Sequence, residues 1–320
     1  MPETEHGGDK KMYDEGRNAG VIACKTADRV KTAFMRLLHT GIMIAIGICL
    51  IYPAVFTLAD SFMADWEINE YYGAREGAAD VPAPESASLQ LKLIPYELTF
   101  RQYYTVLVGK TQYLFMFWNS AALVLPIVLG QLVVGAMAAY AFAIMKSRLA
   151  DFLFFLYVIV MLLPFQVTLV PNYLMADRLG ILDTGLSIIL PGVFGTFGVF
   201  LLRQYMVSVP VSYMEAAKID GAGQWKIFTD IVVPMLKPGL AALFVLLFID
   251  NWNMVEQPLI FLQDPLKTPL SVFLSYINTE ECGVAFAASF IYMIPMVLVF
   301  LYGKEDMVAG MEMQLAGIKG

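Results

Sequence analysis

The chain has 320 residues, of which 58% are hydrophobic and 15% are charged, and its mean hydropathy is +0.65. A soluble domain carries charge on about a quarter of its residues, so this composition excludes an ordinary water-soluble protein. The net charge of −7 identifies no partner, because in a membrane protein it sums charges on opposite sides of the bilayer.

The first 35 residues are polar, with mixed charge and no sustained apolar period. Such a composition is typical of a partly disordered segment, and we expect a tail at 1–35 followed by a membrane domain at 36–320.

Apolar runs of about twenty residues recur from there to the end of the chain, and each can cross about 30 Å of hydrocarbon. They predict an all-α integral membrane fold with six transmembrane helices, at 37–58, 115–143, 152–170, 186–205, 239–259 and 284–302. Prolines inside these runs predict kinks, at Pro53, Pro126, Pro164, Pro191 and Pro295. Such prolines are tolerated where neighbouring groups satisfy the freed carbonyls.

Basic residues indicate the orientation, because lysine and arginine concentrate in cytoplasmic segments. They are more numerous in the two terminal segments and in the loops between spans two and three and between spans four and five. Both termini and the loop at about 207–237 are therefore predicted to be cytoplasmic. The acidic loop at about 59–112 is predicted to be external, as a solvated connector or, alternatively, a contact for an external partner.

The cysteines and histidines form no cluster. Cys24, Cys49 and Cys282 include no CxxC pair, and His6 and His39 lie far from any cysteine group. Neither a disulfide framework nor a metal site is expected, and no cofactor is assigned.

The sequence of the loop between spans four and five predicts a short helix, a turn and a second helix at about 224–234. Ser212 and Glu215 have the spacing of a capping box, in which each side chain bonds a free backbone N–H at the helix start. Gly221 suits the left-handed cap that ends a helix. Ala216 and Ala217 would leave a small-residue face on which another protein can pack closely.

This loop resembles the EAA loop of ABC importer permeases, through Glu215-Ala216-Ala217, then Gly221, Ile231 and Pro234 at the family's spacing. The fuller string Ile219-Asp220-Gly221-Ala222 resembles, in particular, the second permease subunit of carbohydrate-uptake (maltose-type) transporters. Further matches are Asn119-Ser120, Arg203-Gln204, Trp252-Asn253 and Gly317 to Gly320.

The resemblance implies a coupling helix that fits a groove on a cytoplasmic ATPase and passes its closure to the membrane helices. The implied coupling residues are Glu215, Ala216, Ala217, Asp220, Gly221 and Ala222. It also implies a separate ATPase subunit, a second homologous permease and an extracytoplasmic solute-binding protein. The expected location is a bacterial or archaeal plasma membrane, with lipid and not nucleic acid as a partner.

A polar group is predicted in the fifth span, where Asp250, Asn253 and Gln257 are spaced i, i+3 and i+7. On one helix these three residues would share a face. Polar groups inside the hydrocarbon zone of a membrane face a bundle interior or a watery cavity. They are candidates for the translocation path. The alternatives are a hydrogen-bonded cluster between helices or a helix break, since Glu256 and Pro258 follow closely.

No ATP-hydrolysing motif is found in the chain. Gly109-Lys110-Thr111 is the only fragment similar to a phosphate-binding loop, and Tyr104 occupies the position where that motif needs its first glycine. The chain is therefore expected to be a non-catalytic subunit. The alternatives are a self-contained secondary transporter or channel, an importer of a non-sugar solute and, last, a membrane enzyme.

Overall fold

A computed structural model describes residues 7–72, 94–144, 147–207, 209–276 and 282–317, and these contain helices and no strand. The long helices are α1 (Gly7–Asp60), α4 (Thr111–Ile144), α5 (Arg148–Leu162), α6 (Phe165–Arg178), α8 (Thr196–Val207), α12 (Lys237–Trp252) and α15 (Cys282–Gly317). The short ones are α2 (Asp65–Tyr72), α3 (Arg101–Tyr104), α7 (Leu186–Val193), α9 (Val211–Ile219), α10 (Gln224–Ile227), α11 (Val233–Met235), α13 (Glu256–Phe261) and α14 (Leu270–Ser275).

The chain forms two compact units, Met1–Thr57 and Leu58–Gly320. The first consists, in its described residues, of α1, which runs without interruption from Gly7. The sequence predicted a partly disordered tail there, and the structure instead continues the helix. Lysine, methionine, glutamate, arginine and alanine favour helix in this stretch, and Pro53 is the helix's first proline.

Four helical segments of the described chain are long and apolar enough to cross a bilayer, namely Phe34–Asp60, Thr111–Ile144, Leu186–Val207 and Cys282–Val308. Two pairs of helices reach that length only together, and each is bent at its break: α5 with α6 by 101°, and Gln224–Met235 with α12 by 72°. The membrane-crossing segments therefore number four, or six if each bent pair is one segment.

The span predicted at 152–170 is not one continuous helix, because α5 ends at Leu162 and α6 begins at Phe165. Leu163 and Pro164 between them are extended, with ψ of 131° and 144°. Proline disfavours helical backbone in the residue before it and lacks an N–H. The expected kink at Pro164 is therefore a complete break.

The predicted span at 239–259 is also shorter than expected. Helix α12 ends at Trp252, and α13 begins at Glu256 after three residues outside any helix. Asn253, Met254 and Val255 thus interrupt the run, and Pro258 lies in the short helix beyond it.

Helix α4 forms the centre of the second unit, packed against α7, α8 and α12, and α12 packs in turn against α15. Its buried Val124 and Val128 belong to the same core as Leu202 of α8 and Leu243 of α12. Close approach depends on glycine: a Cβ on Gly192 of α7 would lie 2.8 Å from the Ile127 side chain. The fourth apolar run thus packs closely against α4.

The acidic segment at 59–112, expected to be a solvated connector, is buried at its first described end, whereas most of residues 94–112 are exposed. Both carboxylate oxygens of Glu67, which is fully buried, accept the backbone N–H of Tyr96 at 3.1 Å. Asp65 accepts a hydrogen bond from Gln102 and pairs with Arg101 at 3.0 Å. Residues 73–93, the middle part of the expected acidic loop, lie outside the described residues.

Candidate functional site

The predicted coupling helix is α9, and it begins one residue after Pro210. The fixed φ of Pro210 (−62°) leads directly into the helix, and no side chain caps its start. Ser212 therefore lies inside the first turn, where it cannot be the N-cap. The predicted capping box of Ser212 and Glu215 is wrong, and the Glu215 side chain is exposed.

The end of α9 has the geometry that the sequence predicted. Gly221 has a φ of +83°. Its N–H donates to the carbonyl of Lys218 at 3.1 Å, and the Ala222 N–H donates to that of Ala217 at 2.9 Å. These two bonds define a Schellman cap, which requires a left-handed residue where Gly221 stands.

The two sides of α9 differ in their contacts. Met214 and Ala217, and Ala222 just beyond the helix, pack against the main core of the second unit. Ile219 is 87% exposed and Tyr213 57% exposed. Ala216 and Asp220 are exposed too, so Ala216 alone of the predicted small-residue pair lies fully on the outer side.

The second part of the loop connects α9 to the bundle. Residues 224–235 form a helix whose middle turn, Phe228–Val232, is of the π type. The Tyr140 hydroxyl of α4 donates to Gln224 Oε1 at 3.1 Å, and its ring lies 5.1 Å from that of Phe228. Residues 224–235 thus connect α9 to α4 and, through the 72° bend, to α12.

A cavity of about 940 Å³ lies in the second unit where three helix breaks meet. Leu163 borders it at the α5/α6 break, Gly195 at the α7/α8 break, and Asp250 and Gln257 on the two sides of the α12/α13 break. Gly195 is near the middle of the apolar segment Leu186–Val207. Non-helical backbone at such depth is tolerated where it is buried in protein or lines a watery cavity.

Two of the three predicted path residues, Asp250 and Gln257, line this cavity. Asn253 does not line it; its amide donates to the Ile249 carbonyl and contacts the Met296 sulfur at 3.3 Å. The common helical face predicted for all three is wrong, because α12 ends before Asn253. The structure has the alternative arrangement, a helix break.

Sequence reasoning missed Gln131, which is 4% exposed and borders the cavity. Its Nε2 donates to the Gly195 carbonyl at 3.1 Å, so it satisfies backbone at the α7/α8 break. A glutamine deep in the second apolar run was the available signal. Other polar lining residues that the sequence did not indicate are Thr168, Asn172, Thr196 and Asn251.

The α12/α13 break is held by reciprocal hydrogen bonds to α15. Trp252 Nε1 donates to the Tyr292 carbonyl at 3.1 Å, and the Tyr292 hydroxyl donates to the Trp252 carbonyl. The Ser271 hydroxyl donates to the carbonyl of Met254 at 2.6 Å. The Tyr292 hydroxyl satisfies a carbonyl that the end of α12 leaves without a helical partner. The bonds of Trp252 Nε1 and of the Ser271 hydroxyl connect this break to α15 and α14.

Asp183 connects two loops. It accepts hydrogen bonds from Lys267 Nζ at 2.6 Å and from the backbone N–H groups of Gln263 and Asp264 at 2.9 and 3.1 Å. The Lys267 hydrogen bond and then the two backbone bonds lower the pKa of this carboxyl to about 2. Asp183 has a φ of 57°, so its backbone is in the left-handed conformation, which is strained for a residue other than glycine.

The chain is similar in sequence to permease subunits of bacterial uptake systems. It is 28% identical to an arabinooligosaccharide transport permease of Halalkalibacterium halodurans, over 71% of this chain and 81% of that protein. It is 30% identical to a lactose transport permease of Rhizobium radiobacter, over 61% of this chain and 73% of that protein. The sn-glycerol-3-phosphate permease of Yersinia pestis is 32% identical, over 63% and 74%.

A solved structure has the same fold. It is a bacterial ABC transporter involved in the import of the acidic polysaccharide alginate. It matches 95% of this chain and 99% of its own with a TM-score of 0.67, at 21% identity.

Residues 131–304 match the family of inner membrane components of binding-protein-dependent transport systems. This match includes both α9 and all the residues that line the cavity. The chain belongs to this family, whose members are the multi-pass, non-catalytic permease subunits of ABC importers.

Proposed function

We propose that the chain is one half of the translocation path of an ATP-driven importer of sugars or oligosaccharides. The observation that carries the proposal is the cavity at the junction of three helix breaks. Discontinuous helices form solute sites in other transporters because they expose polar backbone groups at membrane depth. The substrates named for the arabinooligosaccharide and lactose relatives support the solute class.

The loop centred on α9 is proposed to receive the ATPase. Glu215, Ala216 and Asp220 are exposed on α9 and its cap, and the side chain of Ile219 is almost fully exposed. Ala217, Gly221 and Ala222 would hold that surface in place, through core contacts and the left-handed cap. Rigid-body motion of α9 would then move α4 and α12, which border the cavity.

The remaining partners are a second, homologous permease and an extracytoplasmic solute-binding protein. The proposed topology places both termini and the α9 loop in the cytoplasm and residues 59–112 outside. It is supported by the distribution of lysine and arginine. In the polar segment of α1 these residues are Lys10, Lys11, Arg17, Lys25, Arg29 and Lys31.

The decisive experiment is gentle purification of the tagged chain from its native membrane, with mass spectrometry of the proteins that accompany it. We expect an ATPase and a second permease. The purified complex, reconstituted with its binding protein, should then import a sugar when ATP is supplied. Uptake by this chain alone, without ATP, would instead establish a self-contained transporter or channel.

A further inference from the structure

The charge of the cavity lining distinguishes between classes of solute that the family leaves open. Glycerol 3-phosphate and alginate, named for two of the matched proteins, are anionic. Lactose and arabinooligosaccharides, named for two others, carry no charge. Membership of the family therefore does not decide the charge of the solute.

Asp250 is the one ionisable residue among the described residues that line the cavity, and no lysine, arginine or histidine borders it. Sites that recognise phosphate or carboxylate use arginine or lysine. A carboxylate has the opposite effect, because it repels an anion that enters the same cavity.

The other polar groups of the lining suit hydroxyl groups. The side-chain amides of Asn172 and Gln257 can both donate and accept hydrogen bonds, as can the hydroxyls of Thr168 and Thr196. Phenylalanine rings, such as that of Phe194, supply apolar surface for the C–H faces of a sugar ring. The Asp250 carboxylate can accept short, charge-assisted bonds from hydroxyl donors.

We propose that this chain's half of the path takes uncharged, polyhydroxylated solutes, and that Asp250 discriminates against anionic ones. The inference rests on the proposed function and adds to it the charge of the solute and the residue that selects it. Uronates and sugar phosphates are the solutes that it disfavours.

The test uses the reconstituted complex with its binding protein, a neutral oligosaccharide found by the uptake screen, and a carboxylate-bearing oxidised derivative of the same oligosaccharide. We expect the wild-type complex to prefer the neutral form. Asp250→Asn should raise the ratio of carboxylate to neutral uptake by at least about fivefold. The binding protein and the second permease are the same in every preparation, so a change in this ratio reports this chain alone.

Glu256→Gln is the matched control, because Glu256 is an exposed carboxylate beside the same break that does not line the cavity. Its bond from Gln166 Nε2, at 3.1 Å, can be retained by the glutamine oxygen. The uptake ratio should change less than about twofold, since Glu256 does not line the cavity and solvent screens its exposed charge.

An unchanged ratio in Asp250→Asn, including undetectable carboxylate uptake in both preparations, would overturn the inference. So would a wild-type preference for the carboxylate form. Both outcomes leave the proposed function intact, whereas failure of the wild-type complex to import any sugar would count against that function itself.

Discussion

At the scale of single residues, Gly221 carries the most direct structural requirement. A left-handed conformation costs a residue with a Cβ about 1 to 2 kcal/mol, and no atom lies within 4 Å of a Cβ built there. Gly221→Ala should therefore strain the cap without a steric clash. We expect less uptake per ATP hydrolysed by the reconstituted complex, because the cap positions the outer surface of α9.

Gly223→Ala is the control for this change. Gly223 is two residues away, has a φ of −68° and is equally open around its Cβ position. Alanine adopts that φ without strain, so coupling should be as in the wild type. Equal losses in the two variants would show that the backbone conformation of Gly221 is not what matters.

Asp183 gives a prediction for the dependence of stability on pH. Its folded-state pKa of about 2 lies below the usual 3.8, so its ionised form stabilises the fold. That contribution is fully present above about pH 4 and is lost as the pH falls through about 2. The thermal unfolding midpoint of the wild-type complex should therefore exceed that of Asp183→Asn at pH 5.

Asparagine is the informative substitution because it tolerates a positive φ and can still accept the N–H groups of Gln263 and Asp264. The difference in midpoint should shrink as the pH is lowered from 4 towards 2. A difference that stayed constant over that range would contradict the assigned ion pair with Lys267.

At the scale of elements, the break between α12 and α13 depends on its bonds to α15. Tyr292→Phe removes the hydroxyl that donates to the Trp252 carbonyl, and a buried carbonyl without its donor costs about 1 to 3 kcal/mol. The thermal unfolding midpoint of the purified complex should fall.

Tyr302→Phe is the control, because it removes a tyrosine hydroxyl from α15 at a side chain that is 91% exposed. It should change the stability by less than about 0.5 kcal/mol. Equal midpoints for the two variants would show that the hydroxyl of Tyr292 does not hold the break.

The apolar runs were predictable because the bilayer requires about twenty consecutive apolar residues. The breaks between α5 and α6 and between α12 and α13 were less predictable. Proline indicated a kink at Pro164, but the local sequence does not determine a 101° bend, which also depends on packing. Asn253 has no proline next to it, and its break is stabilised by Tyr292, 39 residues away in the sequence. Such distant partners are invisible to a reading of local periodicity.

The candidate site likewise has features that the local sequence determines and features that depend on distant residues. Gly221 was predictable because a single local backbone angle determines the need for glycine. The capping box failed because Pro210 starts the helix early enough to enclose Ser212. Gln131 has its role only because Gly195, 64 residues on, leaves a carbonyl beside it.

At the scale of the whole molecule, the proposed topology predicts which surfaces a membrane-impermeant thiol reagent can reach. Ile219→Cys and Leu266→Cys place thiols at side chains that are 87% and 65% exposed, in a background with Cys24 and Cys49 changed to serine. The proposed topology places the loop after the fifth span, which contains Leu266, outside. Inside-out vesicles stripped of the ATPase should therefore label position 219, and right-side-out vesicles position 266.

Adding the ATPase back to the stripped vesicles should protect the thiol at position 219, because the proposed interface covers it. Labelling of both positions from one side would contradict the topology. Unprotected labelling at position 219 would contradict the docking surface while leaving the topology unchanged.

The divided helices also have a consequence for how the chain enters the membrane during synthesis. Helix α5 has 15 residues, which at 1.5 Å per residue reach only about 22 Å, less than the hydrocarbon thickness of about 30 Å. It cannot cross alone when it leaves the ribosome. We therefore expect α5 and α6 to integrate together, as one unit, rather than one after the other.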